Sequence, residues 1–312
     1  MPFQSAAEKP LTFQPNHVPE RDRFPKRLIL GTETSTEIHY WLGVRNHDYV
    51  IGEFIWTGID YLGEAGGLPR RGNGSGFLDL AAGKKPGFYQ RAAYWRDDPV
   101  LNLSVVKGTN SGNFMPRRGG SAQSTWNWEA GTQLTVHAAA NCDEVELYLN
   151  ASPLGRHKVS RDEYATTWTV SYTPGTLSAI GYRAGKEVAT QQLVTTGPAA
   201  RLQIIPVPPI IPSDLAFYEI RVVDEAGLSV LNATHAVTVR IEGSGRLIGL
   251  DAADLNYSGL FKTDTRNAYQ GRRLATVRRT SPSGEVRLAA TAPGLTAATL
   301  ASSATSQETK YR

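Results

Sequence analysis

The sequence predicts a multidomain chain of mixed class, an α/β unit followed by two all-β sandwiches, and three observations carry that reading. Two apolar runs of strand length, Leu28–Leu30 and Tyr49–Trp56, flank a stretch able to hold a helix around Glu37–Val44. Beyond Trp95 the apolar runs become short and alternating, with turn residues between them. At 312 residues the chain is long enough for two or three domains with their own cores.

Residues 1 to about 25 are polar and Pro-rich and show no period. The first apolar run, Arg27-Leu-Ile-Leu-Gly-Thr-Glu-Thr-Ser35, reaches a carboxylate at Glu33. The second, Tyr49-Val-Ile-Gly-Glu-Phe-Ile-Trp-Thr-Gly-Ile-Asp60, reaches a tryptophan and an aspartate. Strand, helix and strand make one βαβ unit, whose parallel strands are expected to be buried on both faces. In the second strand Val50, Gly52, Phe54 and Trp56 share one face, and Tyr49, Ile51, Glu53 and Ile55 share the other. If Trp56 faces a site, Glu53 therefore turns toward the helix layer and is not catalytic. Two successive strands that end in a carboxylate and in an aromatic–acid pair are how a (β/α)8 barrel delivers groups to its C-terminal mouth.

Asn102–Asn127 reads as a Gly/Ser/Asn-rich connection. Segments at Gln133–Ala138, Glu144–Leu149, Thr166–Tyr172, Leu177–Arg183 and Lys186–Val194 follow, with turns at Asn150-Ala-Ser-Pro153 and Pro174-Gly175. Short strands at this spacing predict an immunoglobulin-like sandwich. A linker, Pro206-Val-Pro-Pro-Ile-Ile-Pro212, precedes strands at Phe217–Asp224, Ala236–Glu242, Leu274–Arg278, Val286–Ala290 and Thr296–Ala301, which read as a second sandwich. The domains are placed at 1–100, 101–198 and 199–305. Neither sandwich clusters carboxylates, His or Cys at site-like spacing, so both read as scaffolding.

Composition removes several function classes. The net charge of +4 is spread over isolated pairs, Arg70-Arg71, Arg117-Arg118, Arg272-Arg273 and Arg278-Arg279, and forms no stripe for nucleic acid. No window approaches the ~20 apolar residues of a membrane span. The first ten residues lack the apolar core of a signal peptide. A single cysteine, Cys142, excludes an internal disulfide and a cysteine-based zinc site, and its expected place inside a strand favours a buried thiol. His39 and His47 have no partner at ligand spacing, so no metal is assigned.

Taken together, these segments resemble glycoside hydrolase family 2, β-galactosidase type, over nearly the whole chain. Arg23-Phe-Pro-Lys-Arg-Leu-Ile-Leu-Gly-Thr-Glu-Thr34 is similar to the family's approach to its nucleophile. Gly52-Glu-Phe-Ile-Trp-Thr-Gly-Ile-Asp-Tyr-Leu-Gly-Glu64 is similar to its last barrel strand and loop. Gly76-Phe-Leu-Asp-Leu80, Lys85-Pro86 and Tyr94-Trp95 resemble the close of the barrel. Trp126-Asn-Trp128 and Asn141-Cys-Asp-Glu-Val-Glu-Leu-Tyr-Leu-Asn150 resemble the immunoglobulin-like domain behind it. Gly243-Ser-Gly-Arg-Leu-Ile-Gly249 and Gly271-Arg-Arg-Leu-Ala275 resemble the C-terminal sandwich. One departure is Asn150-Ala-Ser152, where the family more often has Asn-Gly in a hairpin turn.

The resemblance implies the end of a TIM barrel, an immunoglobulin-like domain and a family 2 C-terminal sandwich. It implies retaining hydrolysis of a β-glycoside, which needs two carboxyl groups ~5–5.5 Å apart. Glu33 takes the nucleophile's position. Trp56 is the expected floor of the sugar site, because an indole face packs on the apolar face of a pyranose. Asp60 either accepts hydrogen bonds from sugar hydroxyls or caps the next helix. Glu64 and Tyr61 share its loop and are the remaining substrate-binding candidates. No cofactor is implied.

The family's acid/base, the Glu of an Asn-Glu pair, has no counterpart, since no Asn-Glu dipeptide occurs. Glu8 and Glu20 are the nearest substitutes, and about six barrel strands are absent too. This chain alone is therefore expected to be inactive, positioned proton transfer being worth ~10²–10⁴-fold. Its expected partners are a β-galactoside or related oligosaccharide, and either the missing N-terminal portion or a second copy. Glucuronidases of the family carry Asn-x-Lys where this chain has Asn73-Gly-Ser75, which favours a galactoside over a uronic acid. A second reading is a non-catalytic carbohydrate-associated module, with Trp126, Trp128 and Trp168 as sugar-binding faces or as core. A third is an incomplete gene product with no independent role. The family resemblance suggests a periplasmic or secreted setting.

Overall fold

A computed structural model describes residues 21–108, 122–208, 214–281 and 284–302. Glu8, Glu20, the Arg117-Arg118 pair and Pro209 and Pro212 of the expected linker lie outside those residues. The described chain forms an α/β unit and two β-sandwiches.

The α/β unit comprises β1 (Ile29–Thr34), α1 (Ile38–Asn46), β2 (Val50–Ile55), a hairpin of β3 (Tyr61–Leu62) and β4 (Gly72–Asn73), and α2 (Pro86–Trp95). Pro86 starts α2 where a missing N–H costs nothing. Strands β1 and β2 pair in parallel, Ile29 opposite Val50 and Thr34 opposite Ile55, with a register shift between Gly31 and Thr34. Glu53 turns to the helix side, as strand alternation requires, and meets Arg91 of α2 at 2.6 Å. Both side chains are buried, at 5% and 3% exposure. Thr34 Oγ1 donates to the same carboxylate at 3.1 Å, and the Arg91 guanidinium lies 4.9 Å from the ring of Trp95. The opposite face, with Leu30, Phe54 and Trp56, is exposed and apolar. The expectation of strands buried on both faces is thus not met within this chain: the open face is exposed, and on the helix side burial is confined to the ends around Thr34 and Glu53, with Ile51 58% exposed.

The first sandwich packs a three-stranded sheet on a four-stranded one. The smaller sheet holds β5 (Leu101–Lys107), β6 (Gln133–Ala140) and β9 (Ala165–Ser171) in sequence order. The larger holds β7 (Glu144–Leu149), β8 (Ser152–Lys158), β10 (Thr176–Arg183) and β11 (Lys186–Val194), in the order β11-β10-β7-β8. Alternate residues of both sheets bury one core that includes Leu103, Trp126, Leu147, Trp168 and Leu177. Trp126 is fully buried and its indole N–H donates to the Thr173 carbonyl at 3.0 Å. Trp128 packs against the same core. Trp126 and Trp168 are therefore core residues, whereas Trp128 remains partly exposed. Cys142 is buried, in the bend between β6 and β7.

The second sandwich is built from β12 (Arg201–Val207), β13 (Leu215–Val223), β14 (Ala236–Gly243), β15 (Gly245–Asp251), β16 (Thr265–Asn267), β17 (Arg272–Arg279), β18 (Val286–Thr291) and β19 (Ala298–Ser302). They form two four-stranded sheets, β12-β13-β17-β15 and β16-β14-β18-β19. Tyr218, Ile220, Val237, Leu250, Val277 and Leu288 fill the space between them.

Several elements depart from the sequence-based expectation. Leu101–Lys107 is a core strand, not part of a connection, because pairing with β6 outweighs the polar Asn102 and Ser104. Pro206 lies inside β12, which it can do because β12 is an edge strand and Pro lacks only an unneeded donor. Gly245–Asp251 and Thr265–Asn267 are strands that Gly-rich and polar composition conceals. Ser152–Lys158 is also a strand, joined to β7 by the two-residue loop Asn150-Ala151. Both loop residues have positive φ, 49° and 65°, so this hairpin keeps a turn geometry that suits Asn-Gly while carrying Ala.

Three predictions follow from this packing. Ala151→Gly removes the side chain from a left-handed position and should stabilise the first sandwich by about 1 kcal/mol, read as a higher urea midpoint. Arg91→Met leaves Glu53 buried and unpaired and should cost roughly 3–5 kcal/mol; an unchanged urea midpoint would refute the pairing's importance. Burial holds His137 of β6 neutral, lowering its pKa from 6.5 to about 4. Below pH 6.5 the unfolded chain binds the proton more readily, so stability present above pH 6.5 is lost as pH falls toward 4. The loss should reach roughly 3 kcal/mol and be largely absent in His137→Gln, as thermal melts across that window would report.

Candidate active site

Strands β1 and β2 run in the same direction, so their C-terminal ends lie side by side. The Trp56 N–H donates to the Thr34 carbonyl at 2.8 Å, which fixes the two ends against each other. Thr34 is buried toward Glu53 and α2. Glu33 precedes it, is exposed, and lies in the stretch between Gly31 and Thr34 where the register with β2 shifts. Phe54 and Trp56, on the face of β2 opposite Glu53, are 64% and 52% exposed. An exposed carboxylate and an open indole thus stand at adjacent strand ends, beside residues anchored to the helix layer.

The loop after β2 braces the indole. Trp56 Nε1 donates to the Tyr61 hydroxyl at 2.9 Å, with the rings edge to face and their centroids 5.6 Å apart. The Tyr61 hydroxyl in turn donates to the Glu64 carboxylate, which raises the Tyr61 pKa. Glu64 is exposed and sits at φ 45°. Its observed contact is with Tyr61, so it acts on Trp56 through that hydroxyl.

Asp60 has a different task from either one expected of it. Its side chain is 4% exposed, and Oδ1 accepts from Lys85 Nζ at 2.7 Å and from the Gly76 N–H at 2.9 Å. Burial raises its pKa, against the pull of Lys85 and Gly76. It caps no helix, since the next helix begins at Pro86 with Lys85 before it. A buried, paired carboxylate does not meet sugar hydroxyls, so the substrate-binding reading of Asp60 is corrected. Its position requires glycine at 76, where a Cβ would fall 2.4 Å from the Asp60 nitrogen.

Sequence reading missed the residues that hold this arrangement: Thr34, Lys85 and Arg91. The one signal for Arg91 is a lone cation in an aromatic-flanked helix, Pro86-Gly-Phe-Tyr-Gln-Arg-Ala-Ala-Tyr-Trp95. Among the described residues no three His, Cys, Asp or Glu side chains converge as a metal site. His39 sits 3.3 Å from Glu37, on α1 and its N-terminal flank.

Comparison with known proteins agrees with this layout. Residues 212–301 match the family described as Glycoside hydrolase family 2 C-terminal domain 5, and residues 131–189 match Domain of unknown function (DUF4982). The chain is 31% identical over 267 residues to Beta-galactosidase BoGH2A of Bacteroides ovatus, covering 84% of this chain and 29% of that protein. It is 33% identical over 189 residues to a putative beta-glucuronidase of Formosa agariphila, covering 59% of this chain and 17% of that protein. The chain thus spans less than a third of either relative. A glycosyl hydrolase family 2 member from Bacteroides cellulosilyticus superposes with a TM-score of 0.82 at 28% identity, covering 92% of this chain and 40% of that one. The chain belongs to glycoside hydrolase family 2, and the part of the family it matches is the C-terminal part.

Proposed function

We propose that this chain supplies the nucleophile half of a retaining β-glycosidase, most fittingly a β-galactosidase, with Glu33 as the nucleophile and Trp56 as the floor of the sugar site. The observation that supports the reading is the parallel pairing of β1 and β2, which brings Glu33 and Trp56 to neighbouring strand ends. Helices α1 and α2 follow the two strands in the alternation of a (β/α)8 barrel, and we take this unit as the barrel's closing segment. The exposed face of Leu30, Phe54 and Trp56 supports that reading, because parallel strands are normally covered on both sides. The two separate cores support domain limits at 1–100, 101–198 and 199–305.

Glu64 orients the indole through Tyr61 and contributes its remaining carboxylate oxygen to the rim. A neutral sugar fits the site better than a uronic acid. The turn Asn73-Gly-Ser75 carries no cation, and the nearby Lys85 ammonium is already held by Asp60 and the Gly74 carbonyl. The names of the relatives divide between galactosidase and glucuronidase, and this local chemistry supports the first.

Hydrolysis by such a site needs an acid to protonate the leaving oxygen, and the Asn-Glu pair that carries it in the family does not occur in this sequence. The 312-residue chain alone is expected not to hydrolyse an aryl β-D-galactoside. Joined to the upstream portion of the Bacteroides ovatus relative it should do so, and Glu33→Gln in that hybrid should lower kcat by at least about 10³-fold. Turnover by the chain alone that vanishes in Glu33→Gln would overturn the need for an external acid. A hybrid that stays active in Glu33→Gln would overturn the nucleophile assignment.

A further inference from the structure

The hairpin that braces Trp56 also forms one wall of a cleft. Tyr61 pairs with Asn73 and Leu62 with Gly72, and the Gly63 N–H donates to the Arg71 carbonyl at 2.8 Å. Beyond the hairpin, the Arg71 N–H donates to the Leu255 carbonyl at 2.7 Å, tying the tip to the second sandwich. Between the tip and the 257–261 loop lies a cavity of about 430 Å³, lined by Leu62, Leu68, Arg70, Arg71, Tyr257 and Phe261 among others. That volume is in the ~300–1,000 Å³ range of small-molecule sites.

The lining has two kinds of chemistry. Tyr257 and Phe261 stand edge to face, centroids 5.7 Å apart, and present aromatic surface of the sort that packs on a sugar ring. Arg70 gives its Nε–H to the Gly72 carbonyl at 2.8 Å, which leaves its terminal nitrogens uncommitted to any acid among the described residues. Arg71 is exposed and likewise forms no ion pair there. Positive charge continues behind the aromatic wall. The Arg266 guanidinium lies 3.4 Å over the Tyr257 ring, and the neighbouring Arg273 is fully buried with three unpartnered nitrogens. Of the nearby acids, Asp251 pairs with Arg266 at 3.2 Å, Asp254 accepts from the Asn256 N–H, and Glu64 accepts from Tyr61; none is within ion-pair distance of Arg70 or Arg71 among the described residues. A cleft with free guanidinium groups beside aromatic faces suits a sugar that carries an anionic substituent.

We propose that this cleft is a second saccharide-binding site, which takes a carboxylate- or sulfate-bearing sugar residue. The inference rests on the glycosidase reading, which makes a saccharide the ligand class that the aromatic and cationic lining would meet. It also assigns different chemistry to the two positions, neutral over Trp56 and anionic between the hairpin and the second sandwich.

The test is a calorimetric or ligand-observed NMR titration of the 312-residue chain with D-glucuronate, galactose 6-sulfate, D-galactose and inorganic sulfate at low ionic strength. The two anionic sugars should bind at least about fivefold more tightly than galactose, and more weakly as salt is added. Arg71→Gln, at an exposed position, should weaken them about tenfold. Phe261→Ala should weaken the anionic sugars and leave inorganic sulfate unchanged. Glu33→Gln and Trp56→Ala should leave their binding intact, which separates this subsite from the catalytic one. An inactive hybrid enzyme with this binding profile preserved would count against the catalytic reading alone. Equal affinity for galactose, binding unaffected by both Arg71→Gln and Phe261→Ala, sulfate bound as tightly as the sugars, or loss of binding in Trp56→Ala would each overturn the subsite.

Discussion

The buried contact between Glu53 and Arg91 is the constraint on which the α/β unit depends. Glu53 turns to the helix side because strand residues alternate, and a carboxylate placed there needs a cation that is equally buried. Arg91 fills that need from α2, its guanidinium set among the rings of Phe77, Tyr94 and Trp95. Thr34 joins the same carboxylate from β1, so one polar cluster fixes both strands and the helix behind them. The orientation of the other face follows. With Glu53 committed to the helix layer, Phe54 and Trp56 of the same strand turn to the open side.

A second set of polar ties fixes the loops against the rest of the molecule. Asp60 gathers Lys85 and the backbone of Gly76, and Asp79 accepts from the N–H groups of Ala81 and Gly83 while pairing with Arg272 of β17. Arg45 of α1 reaches Asp162 and the Arg161 carbonyl in the first sandwich. The sandwiches thus support the α/β unit through charged contacts at their rims. The exposed Tyr61–Asn73 hairpin has its own tie, the Arg71 N–H donating to the Leu255 carbonyl of the second sandwich.

Three strands of the second sandwich and two of the first were hidden from sequence for one physical reason. Strands such as Leu101–Lys107, Ser152–Lys158 and Gly245–Asp251 owe their extended form to a partner far along the chain. Their own composition, with Asn102, Pro153 and Gly249, argues for turns when read locally. The Asn150-Ala151 turn makes the same point in reverse, since hairpin pairing holds an alanine where local preference asks for glycine.

Sequence by itself determined the family, the order of an α/β unit and two sandwiches, and the opposite facing of Glu53 and Trp56, because these depend on period, on residue order and on motifs that survive in one dimension. Only the tertiary structure decided what Asp60 does, which cation meets Glu53, how Glu64 reaches Trp56 through Tyr61, and where the arginines of the 61–73 hairpin meet the aromatics of the 257–261 loop. Each of those depends on groups brought together from distant parts of the chain or on a local geometry that several bonds must agree on. Pairing, burial and the sharing of a carboxylate are properties of a three-dimensional arrangement, and a one-dimensional pattern carries no distance by which to foresee them.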